Sequence, residues 1–230
     1  MEPTILYEDD SVLVIDKPTG LIVHPDGIHD YPALTSWLEK RYKEHFLVHR
    51  LDRETSGVLV VAKTEIAHEF LKEQFHDRDV RKVYRAFVYG NIKDDRGIID
   101  KPIGSARGGK GPRSAMRPHG QLREAITTFK VLTRTPDATY VEVRPKTGRT
   151  HQIRVHFSVI QRPIICDQLY APSRLPMLGF KRLALHALSL TITLPPPVGS
   201  EQATGEEKIF SAPLPPDFLI AEGILAEGKK

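Results

Sequence analysis

Apolar and polar positions follow different periods along the chain, and the changes of period mark its elements. Ser11–Asp16 (SVLVID) has the two-residue rhythm of a strand, Lys17-Pro18-Thr19-Gly20 breaks it as a turn, and Leu21–His24 resumes an extended run. Ala33–His45 places Leu34, Trp37, Leu38, Arg41 and Tyr42 at helical spacing, which predicts a first helix. A polar Thr55-Ser56-Gly57 then leads into Val58-Leu59-Val60-Val61, the mark of a buried strand. Glu65–His76 carries Ile66, Phe70, Leu71 and Gln74 at i, i+4, i+5 and i+8, so a second amphipathic helix is predicted there. Lys82–Tyr89 (KVYRAFVY) alternates again as a strand.

The rhythm fails over Gly90–Arg123. This stretch contains SARGGKGPRSAMRPHG and is predicted to be a loop or a hairpin with mobile ends, because its Gly, Pro and Arg residues do not pack regularly. Glu124–Thr133 and Thr139–Arg144 read as paired strands around Pro136-Asp137, and Pro145-Lys146-Thr147-Gly148 as a turn. Thr150–Ile160 is predicted helical with Ile153, Phe157 and Ile160 inward, and Leu183–Leu194 is a long strand ended by Pro195–Pro197. With neither a repeat nor a separating linker, 1–230 is expected to be one domain, ordered over about 4–218, with a frayed tail from Glu222 to Lys230.

Composition narrows the setting. The chain has 230 residues, 40% of them hydrophobic, enough for a packed core. The lone Cys166 excludes an internal disulfide and a Cys-based zinc cluster, and points to a reducing compartment. MEPTILYEDD is no secretory leader, and no run of about 18 apolar residues occurs, so a cytoplasmic protein without a membrane span is expected. The net charge is +4, but twelve Lys and Arg face three acids between Lys101 and Arg154, a net +9 that leaves −5 for the rest. Charge gathered in one part of the chain fits a nucleic-acid footprint as well as it fits an uneven solvated surface.

Most cofactor chemistries find no foothold. His151 and His156 are five apart, on different faces of the predicted helix, and neither HExxH, a Cys pair, GxxxxGK[ST] nor GxGxxG occurs. Cys166 lies in apolar PIICDQLY, the setting of a structural thiol. Asp52 stands apart. It is a single acid between Arg50 and Arg53 at the turn entering a buried strand, where a side chain is rigidly positioned. Tyr84 in KVYRA and Arg149 and Arg154 in TGRTHQIRVH complete a possible set, although singly each also fits a structural role as salt-bridged acid, half-buried ring or surface cation.

From about Ile5 to Phe218 the sequence resembles the RluA-type RNA pseudouridine synthases. HRLDRETSGVLVVAKT (49–64) looks like that family's nucleophile motif, KVYRAFVYG its tyrosine motif and PKTGRTHQIRVHF its third motif. ILYEDDSVLVIDKPTGLIVHP, RPIICDQLYAP and LALHALSLTITLP are similar to its flanking elements. The resemblance implies an α+β fold, a large mixed and mainly antiparallel sheet flanked by helices with a central RNA-binding cleft. It also implies Asp52 as catalytic carboxylate, Tyr84 packing on the target base and Arg154 as basic partner of the carboxylate. The chain departs from the family pattern in reading Cys166-Asp167 where relatives usually read Gly-Asp. No preceding small RNA-binding domain of the kind many relatives have is expected, and the catalytic domain itself is expected to recognise the substrate.

The implied reaction turns uridine into pseudouridine in rRNA or tRNA. The nitrogen–carbon glycosidic bond breaks, the uracil turns, and a carbon–carbon bond forms, with nothing oxidised and no cofactor or metal expected. It needs one ionised carboxylate near the ribose, either to attack it or to stabilise charge and move a proton. Since the reacting atoms are hidden in stacked RNA, the uridine is expected to be flipped out. Arg50 and Arg149, with Arg107, Lys110 and Arg113 of the insertion, are the candidate substrate-binding cations. A monomer is expected. The alternative is a non-catalytic RNA-binding or assembly factor of the same fold, which would keep the basic stretch and not need Asp52. A carboxylate-based glycosidase or phosphodiesterase would want a second positioned acid or a metal.

Overall fold

The computed structural model describes residues 2–25, 27, 30–105, 113–115, 119–196 and 205–227. Along the chain run β1 (Thr4–Glu8), β2 (Val12–Lys17), α1 (Leu34–Glu39), β3 (Phe46–Leu47), β4 (Ser56–Ala62), α2 (Glu65–Asp77) and β5 (Arg81–Tyr89). There follow β6 (Arg96–Asp100), β7 (Ile103–Ser105), β8 (Arg113–Ser114), β9 (His119–Arg123), β10 (Ile126–Arg134) and β11 (Ala138–Pro145). The chain closes with α3 (Gln152–Val159), β12 (Leu185–Thr193), β13 (Glu207–Ser211) and α4 (Pro216–Glu227). This is an α+β fold whose strands pair mainly antiparallel. It divides into two compact units, 1–82 with 187–213, and 83–186 with 214–230.

In the first unit β2 pairs antiparallel with β1 and β4, and β12 with β13. All seven residues of β4 are buried, and so are Val12, Leu13, Val14 and Ile15 of β2. Covering on both faces is why these strands read as continuous apolar runs. One face packs Val12, Val14, Val58, Val60, Leu190, Ile192 and Phe210 against Ala67 and Leu71 of α2. That helix starts where the Thr64 hydroxyl accepts the Ala67 N–H (3.2 Å) and stops at Arg78, in a left-handed conformation with φ 68°. Its buried stripe is Ala67 and Leu71, while Ile66, counted on the apolar stripe in the sequence, is 76% exposed. The Gln74 amide of α2 completes the end of β12, accepting from Thr193 N (2.8 Å) and donating to Thr193 O (2.9 Å).

The second unit is built on β5-β11-β10-β6, each neighbour antiparallel. Its core stacks Phe87 on Tyr140 (centroids 4.2 Å apart) and adds Phe180, Ile153 and Phe157 of α3, and Phe218, Ala221 and Leu225 of α4.

Four expectations are corrected. The first helix spans only Leu34–Glu39, because Arg41 and Tyr42 are not core positions. Arg41 lies over the Trp37 ring and reaches Glu2, and the Tyr42 hydroxyl reaches Glu8. Leu21–His24 forms no strand beyond one bridge from Ile22 to Ala33. In the described residues of the insertion the hairpin alternative holds, with β7 antiparallel to β8 and β9, and what was not expected is that Arg96–Asp100 forms a strand paired with β10. Residues 222–227 of the tail predicted to fray from Glu222 are instead the end of α4, with Leu225 buried, and 228–230 lie outside the described residues.

Gly57 opens the backbone path of β4. Its φ is 115°, and a Cβ there would stand 2.1 Å from the carbonyl oxygen of Ala187. Gly57→Ala should therefore cost more than the ~1–2 kcal/mol of an unfavourable L-residue backbone. A fall of at least about 4 °C in the thermal midpoint is expected for a chain of this size, and an unchanged midpoint would show that β4 and β12 can separate freely.

Candidate active site

Asp52 sits on a tight turn in which its carbonyl accepts the Thr55 N–H (3.1 Å), between buried Leu51 and buried Thr55 and Ser56. The turn is tied down from outside. Lys17, with no exposed surface, donates from Nζ to the carbonyls of Pro18 (2.9 Å), Leu21 (2.9 Å) and Arg53 (3.2 Å). Gly20 N also donates to Arg53 O, and the Thr19 hydroxyl to Glu54 O. The KPTG turn is thus the brace of the Asp52 turn. Of the two arginines that flank Asp52 in sequence, Arg53 lies over the Tyr31 ring (4.2 Å) and pairs with Glu54, while Arg50 is exposed.

His49 anchors the start of the same segment. Its Nε2 accepts the Val60 N–H (3.1 Å) and its ring stacks on Phe75 (4.6 Å), so the proton resides on Nδ1. Burial, helped by the Lys82 charge, pushes the imidazole down to about 3.

Arg154 lies on α3, only 5% exposed, and forks onto fully buried Asp167 through Nε (2.8 Å) and Nη2 (2.9 Å). Asp167 Oδ1 also accepts the N–H groups of Leu169 and Tyr170, and the Tyr170 ring lies beside the guanidinium (5.3 Å). Tyr84 stands on β5 opposite Val143 of β11, half-buried against the core of the second unit. Gln152 is the staple of the turn that carries Arg149. Its Oε1 accepts from the Thr147 hydroxyl (2.6 Å) and Arg149 N (3.0 Å), and its Nε2 donates to Ile126 O and the Thr127 hydroxyl, both at 3.0 Å. His156 has Nε2 at the Lys101 carbonyl (3.0 Å) and Nδ1 at the Thr127 hydroxyl (2.9 Å). A carbonyl only accepts, so Nε2 carries the proton, and burial lowers the pKa of this imidazole.

Among the predicted cations, Arg113 and Arg149 line one polar pocket of the second unit, while Arg107 and Lys110 lie outside the described residues. Asp52 and Arg50 belong to the first unit, Tyr84 and Arg154 to the second. Lys17, Asp167 and Gln152 were not singled out from the sequence. The available signals were a lysine inside a strand-to-turn junction and an acid two residues after Ile165, neither of which shows its partner until the chain folds.

The family model for RNA pseudouridylate synthase matches residues 11–159. The chain is 40% identical over 227 residues to an uncharacterized RNA pseudouridine synthase of Bacillus subtilis, covering 95% of this chain and 71% of that protein. It is 37% identical over 247 residues to ribosomal large subunit pseudouridine synthase D of Pseudomonas aeruginosa, covering 100% of this chain and 74% of the relative. Among solved structures, human RNA pseudouridylate synthase domain containing 4 aligns with a TM-score of 0.78 at 29% identity, over 97% of this chain and 93% of the other. The α+β fold and the extent of these matches define the class, an isomerase that acts on RNA. The chain belongs to the RNA pseudouridylate synthase family, in its RluA-type branch, and its reaction is the isomerisation of uridine to pseudouridine in RNA.

Breaking a buried pair from one side leaves a charge without its partner. Asp167→Ala should therefore destabilise the protein by about 3–5 kcal/mol, read as a shift of the urea midpoint. A loss under about 1 kcal/mol, the level of an exposed pair, would mean that water reaches Arg154.

His49 adds a pH dependence with a definite sign. It stays neutral in the fold down to about pH 3, whereas the unfolded chain takes a proton near 6.5. The unfolded state binds more protons between these values, so the contribution of His49 is complete above about pH 6.5 and is lost as pH falls toward 3. The slope is at most ~1.4 kcal/mol per pH unit. Unfolding free energies of wild type and His49→Gln from pH 7 to 4 should converge on acidification, and parallel curves would disprove the assignment.

Proposed function

We propose that this chain isomerises a uridine in the RNA of the large ribosomal subunit, with Asp52 as the catalytic carboxylate and without a cofactor. The observation that carries this reading is the 37% identity over the whole chain with a ribosomal large subunit pseudouridine synthase. The braced turn supports it: Lys17 Nζ and Gly20 N donate to the Arg53 carbonyl and the Thr19 hydroxyl to the Glu54 carbonyl, so the backbone that carries Asp52 is prepared for one geometry, and fixed geometry is what a single-residue mechanism requires.

Within this reading the target uridine is flipped out of the RNA, at a cost of a few kcal/mol that is smallest at unpaired sites. The Asp52 carboxylate acts at the ribose as the nitrogen–carbon bond breaks. Tyr84 offers its ring to the detached uracil, a stack worth about 1–3 kcal/mol, so that the base turns without leaving. Carbon 5 then bonds to the ribose and loses its proton, and the freed ring nitrogen gains one, so atoms and electrons balance within the nucleotide. Arg154 is the basic partner of the carboxylate, and Arg50 contacts the opened RNA. The protein acts as a cytoplasmic monomer.

Total RNA from cells lacking the protein, incubated with the purified chain and mapped for pseudouridine, tests the assignment and names the position. Asp52→Asn should form product at less than about one per cent of the wild-type rate, given the ~10²–10⁴-fold worth of a single acid–base role. It should still fold and bind RNA. Turnover above that level would remove Asp52 from the chemistry and pass the role to another group, whereas no product from the wild-type chain would favour the non-catalytic RNA-binding reading.

Tyr84 is tested by a pair of variants. Tyr84→Phe keeps the stacking face and should bind RNA like wild type, while Tyr84→Ala should lose about 1–3 kcal/mol of stacking and turn over more slowly than Tyr84→Phe. Equal rates in the two variants would show that the ring does not hold the base.

A further inference from the structure

The small sheet β8-β7-β9 and the turn before α3 enclose a pocket of about 220 Å³ in the second unit. Ser105, Arg113, Gln121 and Arg123 line it from the strands, Arg149 and Thr150 from the turn. Three guanidiniums converge there with no acid in the lining, and among the described residues none of the three pairs with a carboxylate. Each of two spends one donor on its own orientation. Arg113 Nη1 reaches the Ser105 hydroxyl (3.2 Å), and Arg149 Nε reaches the Glu124 carbonyl (3.0 Å). The turn is fixed from beneath by Gln152, which accepts from Arg149 N and is itself 3% exposed.

Like charges gathered without a counter-charge repel, and the arrangement gains when an anion enters. The occupant must be small and polar, because Ile103 is the one apolar side chain in the lining and the volume falls below the ~300–1,000 Å³ of apolar ligand pockets. A phosphodiester fits this chemistry. It carries one negative charge and two acceptor oxygens that match forked guanidiniums, with the Ser105 and Thr150 hydroxyls and the Gln121 amide as further donors.

We propose that this pocket holds one backbone phosphate of the substrate RNA, as a sequence-independent docking point lined by none of Asp52, Tyr84 and Arg154. The proposal rests on the reading of the chain as an enzyme of RNA, and it adds Arg123 to the contacts that hold the substrate. It accounts for the insertion folding into a sheet. Arginines on a loose loop would track any anion, whereas arginines set on β8 and β9 opposite a stapled turn select the spacing of one phosphate.

The test measures the affinity of the full chain for large-subunit ribosomal RNA at several salt concentrations. Arg123→Gln should lower the slope of log affinity against log salt by roughly 0.7 to 0.9, one phosphate contact, and weaken binding about tenfold. Arg123→Lys should keep the slope, and Lys130→Gln, which removes an exposed charge from β10 outside the pocket, should leave it unchanged. A wild-type slope in Arg123→Gln, or an equal loss in Lys130→Gln, would overturn the proposal. If Arg123→Gln loses its cooperative thermal transition, the slope of Arg113→Gln decides in its place. Pseudouridine formation by wild type is followed in parallel, and its failure would overturn the catalytic reading while the salt slopes still decide the pocket.

Discussion

A guanidinium and a carboxylate taken out of water together set the terms for the second unit. Arg154 and Asp167 are 5% and 0% exposed, and desolvating two such ions costs several kcal/mol each. The cost is offset because both carboxylate oxygens are used, with two bonds from Arg154 and two from the N–H groups of Leu169 and Tyr170. A pair of this kind contributes orientation more than net stability. Here it ties α3 to the segment around Ile165, and α3 in turn positions much else. Gln152 staples the turn that carries Arg149, and His156 holds the Lys101 carbonyl where the insertion begins. One short helix therefore fixes a buried cation, a turn and the root of the insertion.

The first unit solves its own positioning problem with the same economy. An ammonium has three donors, and Lys17 meets three carbonyls, so the residue functions as a knot between two backbone turns. His49 stays neutral and accepts one N–H of β4. The backbone on either side of Asp52 is thus tied down, by His49 to β4 and by Lys17, Gly20 and Thr19 at the carbonyls of Arg53 and Glu54, which leaves the turn little freedom to wander.

Much of this was legible in advance. Periods of two gave β2, β5, β10 and β11, and the apolar run gave β4, because burial on one face or both leaves a direct trace in sequence. β6 was hidden inside a stretch of turn-forming composition, and the end of α4 from Glu222 was expected to fray as a chain terminus, although Leu225 there is buried. The motifs put forward Asp52, Tyr84 and Arg154 as candidates through resemblance. The buried partners were not legible, since Lys17 and Asp167 act through contacts that no local pattern encodes. The departure at Cys166 has a physical sense. Its φ is 59°, the left-handed region that glycine occupies without strain, and this chain fills it with a thiol that meets the Phe180 carbonyl.

The chain therefore carries two kinds of positive charge, and they answer to different conditions. Lys17 and Arg154 are buried and engaged, so dissolved ions screen them little. Arg113 and Arg123 are exposed and not paired with carboxylates among the described residues, so what they contribute to holding a polyanion falls as salt rises. Of the cations behind the excess of +9 between Lys101 and Arg154, Arg113 and Arg123 are of the second kind, set on the small sheet, and Arg149 on the turn before α3 lines the same pocket. A protein built this way tunes how tightly it grips RNA by adding or removing surface arginines, and does so without touching the buried bonds that fix its turns.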